Sequence, residues 1–508
     1  MNFKSFFIQG FLLCLCIPLF SQGYEIKISI NSKNDTVHLA HYFTNTERSY
    51  LSNTCILDRS GRGIFNGETK LPKGLYFLVS NNRRVLDFLI GDDQIFEIIA
   101  DTIDIVGKAT AKKSRDNEIF FEFQRMNRKA AMQQYELHQK LQTADSITKI
   151  EIYKELQTLN LNRANDLWNM IEDSKGLYVH KYLNTQLPVI MRFPVASENP
   201  HPWQASLPEN AETWSRDSLN KYQYRWYRSN FFIDFDIFDP DMLRISSYEE
   251  KLMEYMTRVI PQITDSICME IDKILKKAQA NDEVFKFILV NLYNHYSKMM
   301  EVIIDKGIVP ENIWVYLVEK WYIPFAYWSS DEFKEKLKKE VTDRKPNLIG
   351  KLAPPLEMLK VLPPEHFKAA AMDTAIKFDL HAGREIMDFR KELKSKYTVL
   401  YFWDFTCGHC KKSIQELHQV WEELKDNGLQ VITVQTYLSE RKDKGRWIDF
   451  VNDNNLFGSG WINAWSPYNH KFRELYNLTS FPVIFFLDED NTILLKKIVP
   501  EQIRDFIR

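Results

Sequence analysis

The 508-residue chain lacks an excess of charge of either sign. It contains 66 lysine and arginine residues against 68 aspartate and glutamate residues, which gives a formal net charge of −2. No segment gathers the positive charges into a basic patch. Because proteins that bind nucleic acids use such patches to neutralise phosphates, the sequence predicts no nucleic-acid partner.

Cysteine is scarce, and only one pair of cysteines has the Cys-x-x-Cys spacing. The six are Cys14, Cys16, Cys55, Cys268, Cys407 and Cys410. Structural zinc sites need two Cys-x-x-Cys pairs or added histidines at metal spacing, and the chain has neither. Covalent haem needs a histidine directly after the second cysteine, where this chain has a lysine. We therefore expect no metal and no bound cofactor. Cys55 and Cys268 lie among apolar residues and are expected to be buried, although a disulfide between them stays open.

A hydrophobic run long enough to span a membrane is also missing. The apolar segment Phe6–Phe20, about 15 residues after the positive charge of Lys4, is short for a membrane span and typical of a secretory signal. Cleavage after Ser21 would remove residues 1–21 and leave an exported protein. The alternative is an uncleaved anchor, which would keep the protein at the membrane.

The most informative segment that is present is Cys407-Gly408-His409-Cys410. It follows the apolar run 399–403, which predicts a buried strand, and it precedes a helical pattern that ends at Gly428. Unpaired N–H groups and the helix dipole at the start of that helix favour a negative charge on Cys407. Since the thiolate is the reactive form of cysteine, the segment predicts a thiol-disulfide redox centre.

The residues after this centre continue an alternation of strands and helices. The pattern predicts a buried strand over 429–434, a helix beginning at Ser466-Pro467, and a strand over 483–487 that follows Phe481-Pro482. A hairpin then leads into 493–495.

This part of the chain, from about Gly350 to the end, resembles the thioredoxin-fold domain of TlpA/ResA-like envelope oxidoreductases, which overlap with the AhpC/TSA superfamily. The resemblance is carried by Gly350–Pro354, Phe402-Trp403, Cys407–Cys410 and Pro482. It implies a thioredoxin-like α/β domain over 346–508 and a gram-negative-type periplasm or cell envelope as the location. It also implies protein thiols and disulfides as partners, together with an unidentified electron donor or acceptor.

The resemblance also assigns roles to individual residues. Cys407 and Cys410 would form the redox-active disulfide. The Phe481–Pro482 peptide bond would be cis and face that disulfide, and both residues would line a substrate groove beside Cys407. The remaining site residues, expected to tune the centre or line the groove, are Gly408, His409 and Trp403. A cationic His409 would favour the thiolate of Cys407 and make the centre more oxidising than a Cys-Gly-Pro-Cys motif.

Several positions depart from the family pattern. Ser413 and Gln415 occupy places where many relatives have glutamate and proline, and Tyr401 occupies the place of the buried acid of ordinary thioredoxins. The usual proton acceptor for Cys410 is therefore missing, and Asp404 is a candidate to replace it. Asp404 also stands where peroxidases of the superfamily have threonine or serine, which argues against peroxidase activity. The alternatives that stay open are an inert structural disulfide and a binding or scaffold protein whose thioredoxin domain has little turnover.

The first two-thirds of the chain shows little chemistry. Alternating short strands separated by glycine and proline predict an antiparallel β-sandwich over 22–112, which resembles an accessory domain of unknown function. Helical periodicity then predicts an all-α region over 113–345, ending at Lys345-Pro346. We therefore predict a multidomain α+β chain with a β-sandwich, a helical middle domain and a thioredoxin-like C-terminal domain. Tryptophan and tyrosine residues at helical spacing in the middle region are expected to be core rather than a ligand site.

Overall fold

The computed structural model describes residues 23–30, 35–101, 103–186, 202–300, 307–360, 386–392, 395–438, 441–466 and 471–507. The predicted signal segment, residues 1–21, lies outside these residues. The chain divides into two compact units. The first extends to Ile260 and also takes in Lys277–Val284, and the second consists of Pro261–Lys276 and everything from Phe285 onward. The domain boundaries placed at residues 112 and 345 stay predictions.

The first unit begins with eight strands in two four-stranded sheets. The sheet orders are β4-β1-β7-β8 and β3-β2-β5-β6. The strands are β1 Tyr24–Ile30, β2 Thr36–Phe43, β3 Asn45–Ile56, β4 Arg62–Gly67, β5 Gly74–Ser80, β6 Arg83–Ile90, β7 Ile95–Ala100 and β8 Thr110–Lys112. Buried rings of Phe88 on β6 and Phe96 on β7 meet edge to face between the two sheets, as in a sandwich. The strictly antiparallel arrangement that we expected is corrected in one place, because β1 and β7 pair in parallel.

The predicted helical region is present and follows directly. Its α-helices are α1 Ile105–Lys108, α2 Arg115–Thr143, α3 Ser146–Asp173, α4 Tyr178–Asn184, α5 Pro202–Ala205, α6 Arg216–Ser229, α7 Tyr248–Glu254, α8 Thr264–Ala278, α9 Asp282–Met299, α10 Pro310–Leu317, α11 Ile323–Phe325 and α12 Asp331–Arg344. Side-chain caps explain where the two longest begin: Ser114 accepts a hydrogen bond from Asn117, and Asp145 accepts from Ile147 and Thr148. Among the described residues, no helix is long and apolar enough to span a bilayer.

The C-terminal part is a seven-stranded mixed sheet with helices. Its strand order is β10-β9-β13-β12-β11-β14-β15. The elements are β9 Glu357–Lys360, β10 Ile386–Asp388, α13 Phe389–Glu392, β11 Tyr397–Trp403, α14 Gly408–Leu424, β12 Leu429–Gln435, α15 Arg441–Asp453, β13 Trp461–Trp465, α16 Phe472–Leu475, β14 Val483–Asp488, β15 Ile493–Lys496 and α17 Pro500–Ile507. The predicted strands over 399–403, 429–434, 483–487 and 493–495 are confirmed. Pro467, where we expected a helix to begin, lies outside the described residues.

The central strand β11 supplies side chains to both faces of this sheet. Val399, Tyr401 and Trp403 pack with the buried face of α14, while Leu400 and Phe402 pack on the opposite side. All five are fully buried, which fits a central strand covered on both faces. Strand β11 therefore lies between two packed layers. Helix α14 begins shortly after the end of this strand, and the cysteine motif lies where the helix begins.

A buried group of charged side chains connects the edge strand β15 to helices α10 and α12 within the second unit. Lys496 donates to Glu311 at 2.5 Å and to the carbonyl and side-chain oxygens of Asn347 at 2.9 and 2.7 Å. Arg344 bonds the other oxygen of Glu311 at 2.9 Å. Lys496 and Glu311 are almost completely buried. We refer to these four residues as the Lys496 network.

Candidate active site

The cysteine motif lies on a tight turn between β11 and α14. Asp404 shapes this turn: its Oδ1 accepts from the N–H and the hydroxyl of Thr406, both at 2.8 Å, and its carbonyl accepts from the N–H of Cys407 at 3.0 Å. Cys407 is the N-cap of α14, and its Sγ accepts from the N–H of Cys410 at 3.4 Å. The sulfur therefore lies where the helix offers free donors and a positive dipole end.

The two thiols differ in their access to solvent. Cys407 is partly exposed, whereas Cys410 is fully buried one turn into the helix. Burial, together with the neighbouring Cys407, raises the pKa of the Cys410 thiol to about 12. Both thiols are free in this structure. The sulfur of Cys407 is therefore open to solvent, whereas the buried thiol of Cys410 lies one helical turn away beside it.

Tyr401 replaces the buried acid without supplying a base. Its hydroxyl donates to the carbonyl of Cys410 at 2.9 Å and also bonds the side chain of Ser413. Two of the positions that depart from the family pattern therefore contact each other beneath the motif. Burial raises the pKa of Tyr401 further above its ordinary value, so this hydroxyl stays protonated. The oxygen of Asp404 named above is engaged with Thr406, where it supports the turn.

Two polar residues that the sequence did not single out hold the turn from the neighbouring strand. Gln435, fully buried at the end of β12, accepts from the N–H of Phe405 at 3.1 Å. Thr436 donates to the carbonyl of Trp403 through both its N–H and its hydroxyl, at 2.9 and 2.8 Å. The sequence does contain a signal for these two residues, because they form a polar pair directly after the predicted strand 429–434. In parallel sheets, functional sites usually lie at the carboxyl ends of the strands.

The structure places the other predicted site residues as follows. The Phe481–Pro482 peptide bond is cis, as predicted. Phe481 packs against the same apolar cluster as Cys407. Gly408 and His409 are exposed on the first turn of α14. The expectation that Trp403 lines a groove is wrong: strand alternation turns it inward, and it is fully buried against Tyr401 and Phe450.

The remaining described cysteines are not part of this site. Cys55 and Cys268 are free thiols. Burial raises the pKa of Cys55 to about 11 and the pKa of Cys268 to about 12, which disfavours the reactive thiolate at both positions. Among the described residues, no group of three or more histidine, cysteine or acidic side chains is placed to hold a metal ion.

The C-terminal part of the chain is similar to a known family. A model of the thioredoxin-like family matches residues 395–493. No curated protein matches the chain. Among solved structures, a thioredoxin-like protein from Bacteroides caccae is 16% identical, with a TM-score of 0.36, over 59% of this chain and 96% of its own. The thioredoxin domain of a thiol-disulfide oxidoreductase from Bacteroides vulgatus is 19% identical, with a TM-score of 0.23, over 32% and 98%. StoA from Bacillus subtilis is 21% identical, with a TM-score of 0.21, over 25% and 92%.

The family match covers β11, α14, β12 and β14, together with the cysteine motif and the cis Phe481–Pro482 bond. These are the elements that place a partly exposed thiol at a helix start beside a buried one. Residues 395–493 of this chain form a thioredoxin-like domain.

Proposed function

We propose that the protein is a thiol-disulfide oxidoreductase that exchanges disulfides with other proteins through Cys407 and Cys410. The observation that carries this proposal is the position of the two sulfurs. The Cys407 sulfur is partly exposed at the N-cap of α14, and the buried Cys410 follows one turn later with its N–H directed at that sulfur. The chemistry needs only these two thiols and no bound cofactor.

In the reducing direction, the thiolate of Cys407 attacks one sulfur of a substrate disulfide. A mixed disulfide forms, and the second substrate sulfur leaves as a thiolate that takes up a proton. Cys410 then loses its proton and attacks the sulfur of Cys407, which expels the first substrate sulfur. The substrate has gained two electrons and two protons, and the enzyme holds a Cys407–Cys410 disulfide. An external dithiol such as dithiothreitol returns the two electrons, and the oxidising direction is the reverse.

Trapping of mixed disulfides in cells tests this assignment. Cys410→Ser removes the resolving thiol, so the variant should accumulate mixed disulfides that a non-reducing gel resolves and a reductant releases. Cys407→Ser is the matched control and should trap none, because the remaining thiol of the motif, Cys410, is buried. Equal trapping by both variants would refute the roles. Insulin reduction by the wild-type protein with dithiothreitol tests turnover, and no acceleration would favour the scaffold alternative.

We further propose that these exchanges take place outside the cytoplasm, in the periplasm or cell envelope. The proposal is supported by the apolar segment Phe6–Phe20 after Lys4. Cell fractionation with sequencing of the mature N-terminus tests it. Loss of residues 1–21 is expected, whereas an intact N-terminus in a membrane fraction would indicate the anchor, and an intact N-terminus in the cytoplasm would contradict export.

A further inference from the structure

A cation without a carboxylate partner lies beside the residue that precedes the cis proline. The guanidinium carbon of Arg473 is 6.0 Å from the ring centre of Phe481, and one guanidinium nitrogen donates to the carbonyl of Thr436 at 2.6 Å. Its Nε is buried and makes no hydrogen bond, and no described carboxylate lies within ion-pair distance of this side chain. Because arginine carries five N–H donors, most of its capacity to bind an anion is unused.

Two further cations lie over aromatic rings around the same dithiol. Arg446 is 5.6 Å from the ring centre of Phe405, in the turn two residues before Cys407. Lys411, whose N–H bonds the carbonyl of Cys407, is 5.3 Å from the ring centre of Phe450. In both contacts the charged group itself lies over the ring, as in a cation–π pair, so the positive charges lie next to apolar surface.

The acidic groups in this part of the chain offset these charges only in part. The first turn of α14 contains no acidic residue, while Asp404 keeps its negative charge as it accepts from Thr406. Asp443 is 3.5 Å from Arg446, a long contact to a guanidinium whose side chain is 57% exposed. The surface next to Cys407 therefore combines aromatic side chains with a positive potential, to which the N-terminus of α14 adds its dipole.

We infer that the substrates are disulfide-containing polypeptides with acidic side chains next to the reacting cysteine, and that Arg473 is a specificity-determining residue for them. This inference rests on the proposed function. An aspartate or glutamate beside the substrate disulfide would bind Arg473 while the neighbouring apolar atoms pack on Phe481. A basic segment at the same place would be repelled, so the surface selects by both attraction and repulsion.

Three synthetic peptides with one intramolecular disulfide test this choice of substrate. They differ only in whether the residues flanking each cysteine are glutamate, glutamine or lysine. The full-length reduced protein is mixed with each peptide, and the second-order rate constant of reduction is measured at low salt and at about 1 M salt, where charges are screened beyond about 3 Å. We expect the glutamate peptide to react about three- to fivefold faster than the glutamine peptide, the lysine peptide to be slowest, and the differences to shrink at high salt.

Variants then assign the preference to the named side chains. Arg473→Met should bring the glutamate-to-glutamine rate ratio close to one, and Arg473→Lys should restore part of it. If Arg473→Met fails to fold, Lys411→Met should lower the same ratio. Lys129→Met, which removes one positive charge at an exposed position on α2, is the matched control and should leave the ratio unchanged. Equal rates for the three peptides, or a fastest lysine peptide, would overturn the inference. Failure of all three to react would instead contradict the proposed function.

Discussion

The thiol of Cys410 has to lose its proton before it can resolve a mixed disulfide. Its pKa is about 12 because it is buried beside Cys407, and the tyrosine beneath the motif supplies no base. A pH between 7 and 9 therefore lies well below the pKa of this thiol, and the fraction of Cys410 that is thiolate grows about tenfold per pH unit. We expect the resolution rate to rise by the same factor, as measured by rapid acid quenching of a preformed mixed disulfide at Cys407. A rate that does not change with pH would show that another group takes the proton.

His409 offers a second prediction at the scale of single residues. It is exposed between the two cysteines, and when cationic it favours the thiolate of Cys407 over the disulfide. Stabilising the reduced form raises the reduction potential. The reduction potential of protein disulfide isomerase is about 90 mV higher than that of thioredoxin. His409→Pro should therefore lower the potential by up to about this amount, measured against a series of glutathione redox buffers. An unchanged or higher potential would show that the histidine does not tune the centre. The exposed Lys412→Met is a control for loss of a nearby charge.

At the scale of elements, the Lys496 network joins β15 to helices α10 and α12. Lys496→Met would leave Glu311 with one partner fewer and two oxygens of Asn347 without their donor. Breaking a buried ion pair from one side costs on the order of 3 kcal/mol. We expect a lower temperature of unfolding for the second unit, measured by calorimetry. Lys345→Met, which breaks an exposed pair with Glu319, is the matched control and should cost less than about 1 kcal/mol. Equal effects of the two variants would contradict a stabilising role of the network.

Helices and strands were predictable from the sequence where a short segment contains a regular run of apolar residues. Strand β11 is entirely apolar from Val399 to Trp403 and buried on both faces, so its composition alone indicated a strand. Strand β3, Asn45–Ile56, was harder to predict. It is an edge strand rich in polar residues, and its sequence lacks an alternation of apolar and polar positions. The two cysteines of the site were predictable because they are close in sequence. The contacts of Arg473 with Thr436 and Phe481 were not, because these residues lie in segments that are far apart in the sequence and meet only in the folded chain.

At the scale of the whole molecule, the second unit does not coincide with the C-terminal domain predicted from residue 346. It also includes Pro261–Lys276 and Phe285–Lys345, and Glu311 of the Lys496 network lies in the second of these segments. A fragment beginning at Pro346 lacks Glu311 and Arg344, whereas a fragment beginning at Pro261 keeps the buried pair of Lys496 and Glu311. We expect the longer fragment to unfold at a higher temperature, measured by calorimetry on both.

Lys496→Met provides the control for this comparison. It should destabilise the longer fragment, where it breaks the buried pair with Glu311, and should have a smaller effect in the shorter one, where Glu311 is absent. Equal unfolding temperatures for the two unmodified fragments would show that the thioredoxin-like domain is thermally independent of residues 261–345.

The interleaving of the two units also sets the order in which they can be completed during synthesis. Domains generally fold as units from the N-terminus as the chain leaves the ribosome. Here the first unit waits for Lys277–Val284, by which time Pro261–Lys276 of the second unit has already been made. Folding of the N-terminal half therefore cannot finish before part of the redox unit has emerged. A nascent chain arrested shortly before residue 277 would therefore present the first unit without its last segment, Lys277–Val284.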